Sequence, residues 1–204
     1  MTTPVAIILA AGKGTRMASD LPKVLHPMLG EPLVAYPIRA ARQAQASRVV
    51  VVVGYEGELV RQAVRARFSE ADAWLRFATQ AEQHGTGHAV MCALPEVPEG
   101  DGIALVLSGD VPLVSAATLH ELVLRAEGSS ARLALTTFRP ADPTGYGRIV
   151  RDAGGRVLAI REQRDASEVE RAIGECNAGT YAASLTLLRT ELPRLGRNNA
   201  QGEI

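Results

Sequence analysis

Cysteine is scarce. Cys92 and Cys176 are the only two in 204 residues, far apart and without a C-x-x-C spacing. That excludes a disulfide framework or a zinc knuckle and predicts reduced, buried thiols in a cytosolic protein. Charge of one sign is missing too, since 22 Lys and Arg balance 22 Asp and Glu. A nucleic-acid or anionic-membrane surface needs a basic excess, so neither partner is expected. No apolar run approaches the length of a membrane span. The amino terminus leads directly into an apolar run without a basic segment and cleavage site, so no signal peptide is expected. Repeats are absent, including any hexapeptide repeat of the left-handed β-helix kind. These absences leave one intracellular domain, long enough for a sizeable α/β core.

What is present is organised around residues 5–27, VAIILAAGKGTRMASDLPKVLHP. Residues 5–9 are continuously apolar and rich in β-branched side chains, as a strand buried on both faces of a parallel sheet must be. The run breaks into Ala10, Ala11, Gly12, Lys13, Gly14, Thr15 and Arg16, and Lys23 follows. Small residues and glycines let the backbone turn sharply and approach a ligand. A glycine turn ringed by Lys13, Arg16 and Lys23 reads as a phosphate site. It is not a Walker A loop, because Gly14 is followed by Thr15 rather than Lys-Ser/Thr. Nor is it a dinucleotide fingerprint, since Met17 stands where the third glycine belongs.

Strands and helices then alternate, the pattern of a parallel sheet with helices on both faces. Strands are expected over 48–53, 74–79, 103–107 and 132–138, and helices over 33–45, 57–67, 88–94 and 116–126. Pro37 is tolerable only near the first turn of its helix. Thr86 is read as a helix cap and Ser115 as another. From Pro140 onward glycines punctuate two short β runs, 148–151 and 156–160, which predicts an antiparallel hairpin beside the main sheet. A weak helix over 166–173, a strand over 176–183 and a helix over 185–195 complete the reading. The fold class is α/β: a Rossmann-like, mostly parallel sheet flanked by helices, with a small antiparallel insertion.

Certain residues point to chemistry by type and place. Asp110, in Ser108-Gly109-Asp110, follows an apolar strand, and ligands gather at such strand ends. Gln80, Glu82 and Gln83 precede Gly85-Thr86-Gly87, and an amide such as Gln80 or Gln83 can donate to and accept from a base edge. Gly147 permits close backbone approach, and Asn177 is a polar residue in a small, apolar strand end. His84 and His88 have a helical zinc spacing, but the glycines at 85 and 87 argue against a helix there and against a metal role.

The motif LAAGKGTRM with LPKVL close behind resembles the signature of sugar-1-phosphate nucleotidylyltransferases. Its fuller form is similar to the bacterial N-acetylglucosamine-1-phosphate uridylyltransferases, whose chain also carries a glucosamine-1-phosphate acetyltransferase half. QAEQHGTGHA, LSGDVPL, DPTGYGRI, Glu162, ECNAGTY and NNAQGE extend the resemblance over essentially the whole chain. It implies a single nucleotidyltransferase domain over 1–204, incomplete at its carboxyl end, with the acetyltransferase half and the trimerisation it provides absent. It implies the fold of the nucleotide-diphospho-sugar transferases.

The resemblance also implies roles. Leu9, Ala10, Ala11, Gly12, Ser108 and Gly109 would hold the nucleotide, with Arg16 and Lys23 catalytic on its phosphates. Gln80 and Gly85 would read uracil, and Thr86 would face nucleotide and sugar. Gly147, Glu162 and Asn177 would line the sugar pocket; only the resemblance selects Glu162. Asp110 would be the magnesium carboxylate, its second protein ligand an asparagine beyond residue 204. The expected reaction joins UTP and N-acetylglucosamine 1-phosphate, for peptidoglycan and lipopolysaccharide precursors. Another base or sugar, or a nucleotide-binding module without turnover, stays open on the residues alone.

Overall fold

The computed structural model of the chain describes residues 3–14, 17, 19–196, 202 and 204. The first strand, β1 (Val5–Ala10), is covered on both faces. Ala6 and Ile8 enter one apolar layer, while Val5 and Ile7 enter the other. Alternate strand residues point to opposite faces, which is why the run has no polar interruption.

Then come the short hairpin β2 (Pro27–Met28) and β3 (Glu31–Pro32), α1 (Ala35–Gln43), β4 (Arg48–Val53), α2 (Gly57–Arg67) and β5 (Leu75–Thr79). Pro37 sits in the first turn of α1, where its missing N–H breaks no helical bond. After them follow α3 (Thr86–Ala93), β6 (Ile103–Ser108), α4 (Ala116–Gly128) and β7 (Leu133–Phe138). Ser115 caps α4 by accepting from the Thr118 N–H at 3.1 Å. The last third contributes β8 (Arg148–Arg151), β9 (Val157–Arg161), α5 (Glu168–Arg171), β10 (Cys176–Ser184) and α6 (Leu185–Glu191).

The main sheet runs β5-β4-β1-β6-β10-β8-β9, with β7 also on β10. β5, β4, β1 and β6 are parallel neighbours, and β10 is antiparallel to β6 and β7. Residues of α1, α2 and α4 (Ile38, Val60, Val64, Leu119) close one face. Ala89, Val90 and Ala93 of α3, with Leu185 of α6, close the other. The expected α/β class forms, and the antiparallel hairpin β8–β9 extends the main sheet through β10.

One detail positions the site. β7 accompanies one edge of β10, but the opposite edge is shared. β6 pairs with residues 181–184, and β8 takes over at Cys176. Between them the register of β10 shifts, with Gly179 at φ +73°. The sheet therefore splits where β6 ends, and crevices at strand carboxyl ends are where α/β sheets take ligands.

Some boundaries differ from expectation. Thr86 does not cap α3; it is the first helical residue, and Gly85, at φ 96°, occupies the cap without a side-chain bond. The helix thus begins between His84 and His88 despite Gly87. A Cβ at 87 would lie 2.9 Å from Ile204 backbone atoms, so backbone fills the space a side chain would need. The closing helix stops at Glu191 and continues only as a 3-10 turn, Leu192–Arg194. Pro193 cannot supply the next helical N–H. The weak helix over 166–173 shrinks to α5, fixed by a capping box between Ser167 and Glu170. Cys176 is buried as expected, but Cys92 is only partly so; both thiols are free.

Candidate active site

The loop after β1 is shaped by close contacts that only glycines allow. Gly14 has φ +65°, and a Cβ there would fall 2.6 Å from the Lys23 Cβ. The loop thus folds back directly onto Lys23. A Cβ at Gly109 would lie 2.9 Å from the Leu9 carbonyl oxygen, which accepts the Gly109 N–H at 2.9 Å. Gly54, readable in the sequence only as the end of the 48–53 strand, is just as tight: its Cβ would meet the Ala11 oxygen at 2.9 Å. Ala10 and Ala11 are buried while Gly12 and Lys13 are exposed, so the loop offers mainly backbone. Lys13 lies over the Tyr55 ring, 5.0 Å from its centroid, rather than joining Lys23. Arg16 and the NNAQG motif with its Glu203 lie outside the described residues, apart from Gly202.

Lys23 opens a 3-10 turn whose next two residues, Val24 and Leu25, are buried. Anchored there, its ammonium forms an ion pair with the Asp110 carboxylate. Asp110 stands just beyond β6, beside Ser108 and the tight Gly109. Both side chains keep solvent access, 41% for Lys23 and 26% for Asp110, so a ligand from solvent can reach them.

A cavity of about 240 Å³ lies between the end of β1 (Leu9, Ala11, Gly12) and the start of α3 (Gly85, Thr86). Gln80 forms part of its wall and is only 4% exposed. Its Nε2 donates to the Gly85 carbonyl at 2.9 Å. Gln83 also lines the cavity, and its Nε2 donates to the Ala11 carbonyl at 2.8 Å, tying the two walls together. Gln83 is the second amide candidate beside Gln80 in the same QAEQ run, and its amide is used in this tie. A larger groove, about 750 Å³, lies between α4 and β7. It is open and has none of the convergent polar groups above, so size does not make it the site.

The third group forms across the split in the sheet. Gly147 is buried, its carbonyl accepts the Asn177 N–H at 2.8 Å, and a Cβ on it would lie 2.8 Å from Glu162 Oε1. Gly147, Glu162 and Asn177, far apart in sequence, are thus neighbours. The close approach at Gly147 is used by Glu162 within the chain. Asn177 Nδ2 bonds the Tyr181 hydroxyl at 2.5 Å, while its Oδ1 accepts the Gly179 N–H at 3.0 Å. Burial pushes the Tyr181 hydroxyl up from its ordinary pKa, so it stays protonated. Gly179 links this group to the loop: a Cβ on it would be 3.7 Å from Ser108 Oγ. His84 and His88 have rings 5.1 Å apart, but His84 pairs with Glu82 and His88 turns to Gln80 and Cys92.

The chain is similar to known proteins over most of its length. "Bifunctional protein GlmU" of Trichlorobacter lovleyi is 48% identical over 203 residues, covering all of this chain and 43% of that protein. The protein of that name from Bordetella parapertussis is 52% identical over 200 residues, covering 97% of this chain and 42% of its own length. The chain therefore spans well under half the length of these curated relatives. The fold is matched by a Bacillus anthracis crystal structure assigned as a glucose-1-phosphate thymidylyltransferase, in complex with a sucrose. It has a TM-score of 0.75 at 16% identity, covering 91% of this chain and 73% of the other. The family model for the MobA-like NTP transferase domain matches residues 6–176, which hold the loop, the Lys23–Asp110 pair and the small cavity, and the chain belongs to that family.

Proposed function

We propose that this chain joins UTP and N-acetylglucosamine 1-phosphate into UDP-N-acetylglucosamine and pyrophosphate. The observation that carries the reading is the Lys23–Asp110 pair, flanked by the small cavity on one side and the Gly147, Glu162 and Asn177 group on the other. A phosphate oxygen of the sugar phosphate attacks the α-phosphorus of UTP. The bond from that phosphorus to the bridging β-phosphate oxygen breaks, and pyrophosphate leaves with the electron pair. Both reactants are anions, so positioning and charge neutralisation do most of the work. Lys23 leaves Asp110 for the incoming phosphates and bridges nucleotide and sugar phosphate, while Arg16 takes the leaving pyrophosphate. No activated Ser, Cys or His is assigned to the attack, so displacement is direct and in line.

Asp110 would hold magnesium. A hard carboxylate at a strand end supplies part of the oxygen set such an ion needs, and substrate phosphates would supply more. When bound, the ion neutralises phosphate charge. Leu9, Ala10, Ala11, Gly12, Ser108 and Gly109 grip the nucleotide, Gln80 and Gly85 the base, and Thr86 nucleotide and sugar. Residues 1–204 act as one nucleotidyltransferase unit, in the cytoplasm, supplying peptidoglycan and lipopolysaccharide precursors. Steady-state pyrophosphate release, with UTP and other nucleotides against a panel of sugar phosphates, tests this. Magnesium-dependent turnover highest with the named pair is the expected result. UTP binding without turnover on any acceptor would leave only a nucleotide-binding module.

A further inference from the structure

The Gln80 amide is held by two acceptors. Its Nε2 lies 2.9 Å from the Gly85 carbonyl, a group that can only accept, so Nε2 is the amino end. The second amino hydrogen faces His88 Nδ1 at 3.2 Å. That contact is favourable only if Nδ1 carries no proton. A neutral His88 then holds its proton on Nε2, which points to Cys92 Sγ at 3.7 Å. Burial pushes the Cys92 thiol up, so its sulfur stays neutral and can accept weakly. With both amino hydrogens engaged, Gln80 Oε1 accepts from no donor among the described residues, on a side chain that lines the cavity.

We propose that His88 is a positioning residue that locks the Gln80 amide with its oxygen toward the base, so that the cavity selects a base carrying a ring N–H. Uracil has that N–H at N3; cytosine has a bare acceptor there and would meet oxygen with a lone pair. His88 touches no substrate and acts only through Gln80. The inference rests on the reading of this cavity as the base site. It adds the reason one pyrimidine is preferred to the other.

The test is binding of UTP and CTP to the whole chain by calorimetry. Wild type should favour UTP roughly tenfold or more, the penalty for an unmet buried acceptor. His88→Leu, which offers no acceptor, should narrow the ratio about fivefold, the worth of one hydrogen bond. His88→Asn places an acceptor where Nδ1 was and should restore the wild-type ratio. A folded His88→Leu protein with undiminished discrimination would overturn the proposal, as would an Asn variant that behaves like Leu. Nitrogen-15 spectra of the wild-type imidazole supply an arm that needs no variant: the Nε2–H tautomer is expected, and the Nδ1–H tautomer refutes the lock. Wild type that binds neither pyrimidine nucleotide would instead remove the base-site reading itself.

Discussion

Lys23 and Gly14 form one device at the level of single residues. Truncating Lys23→Ala removes the cation facing Asp110 and should lower turnover by about a hundredfold or more, as loss of a transition-state charge partner does. Because the pair is partly exposed, the melting temperature should hardly move. Pyrophosphate release and a thermal melt on the same sample separate the two effects. At Gly14 the added methyl of Gly14→Ala would collide with the Lys23 side chain and force a strained backbone. That should destabilise by on the order of 1–3 kcal/mol and displace Lys23, so turnover and stability fall together. Glu175 gives a pH dependence. The Arg151 fork, with bonds of 2.9 and 2.7 Å, holds its carboxyl down from 4.5 to about 2. A depressed folded value means the stabilisation is complete above about 4.5 and drains away as pH falls toward 2. Acid titration of Glu175→Gln, followed by circular dichroism, should show a shallower loss over that window than wild type.

The element that most needs explaining is the β8–β9 hairpin. Arg148, at its first position, is 1% exposed, and no acidic side chain is among its hydrogen-bond partners. Its guanidinium instead donates to the Tyr146 and Arg171 carbonyls and to Gln163 Oε1, while its Nε has no partner among the described residues. It therefore clamps the loop before β8 to the segment after β9, the two pieces that carry Gly147 and Glu162. Arg148→Met should strand those acceptors and cost on the order of 3 kcal/mol in urea unfolding. If the hairpin serves the sugar, the same variant should raise the KM for the sugar phosphate while nucleotide affinity stays near wild type. Equal losses on both substrates would detach the hairpin from the sugar side.

Across the whole molecule, the residues proposed to hold the nucleotide sit on β1, β6 and the start of α3, along the parallel half of the sheet. A ligand there binds the folded state only. UTP at a hundred times its Kd should therefore stabilise the chain by about 2.7 kcal/mol. For a protein of this size that corresponds to a rise of roughly 5–10 °C in melting temperature. Scanning calorimetry over a UTP series checks it, and a flat response would mean that no nucleotide site is formed.

Local patterning was legible wherever period and composition speak for themselves. The apolar runs named β1, β4 and β6, the Ser115 cap and the glycine loop could all be read directly, since buried strands, caps and turns are short-range events. The family resemblance chose Gln80 from a pair of amides, whereas Lys23, Asp110 and Asn177 could be singled out by residue type and place. Glu162 could not, because a surface glutamate has no pattern, and it needed the family resemblance. The roles of Gly54 and Gln83 escaped for a different reason: each acts through a close approach to Ala11, from 43 and 72 residues away, that no local window contains. The joining of β10 to β6 and β8 along a single edge is equally non-local. Long-range packing alone places Gly147, Glu162 and Asn177 together across that split, because strand partners are chosen by the burial of whole faces rather than by neighbouring residues.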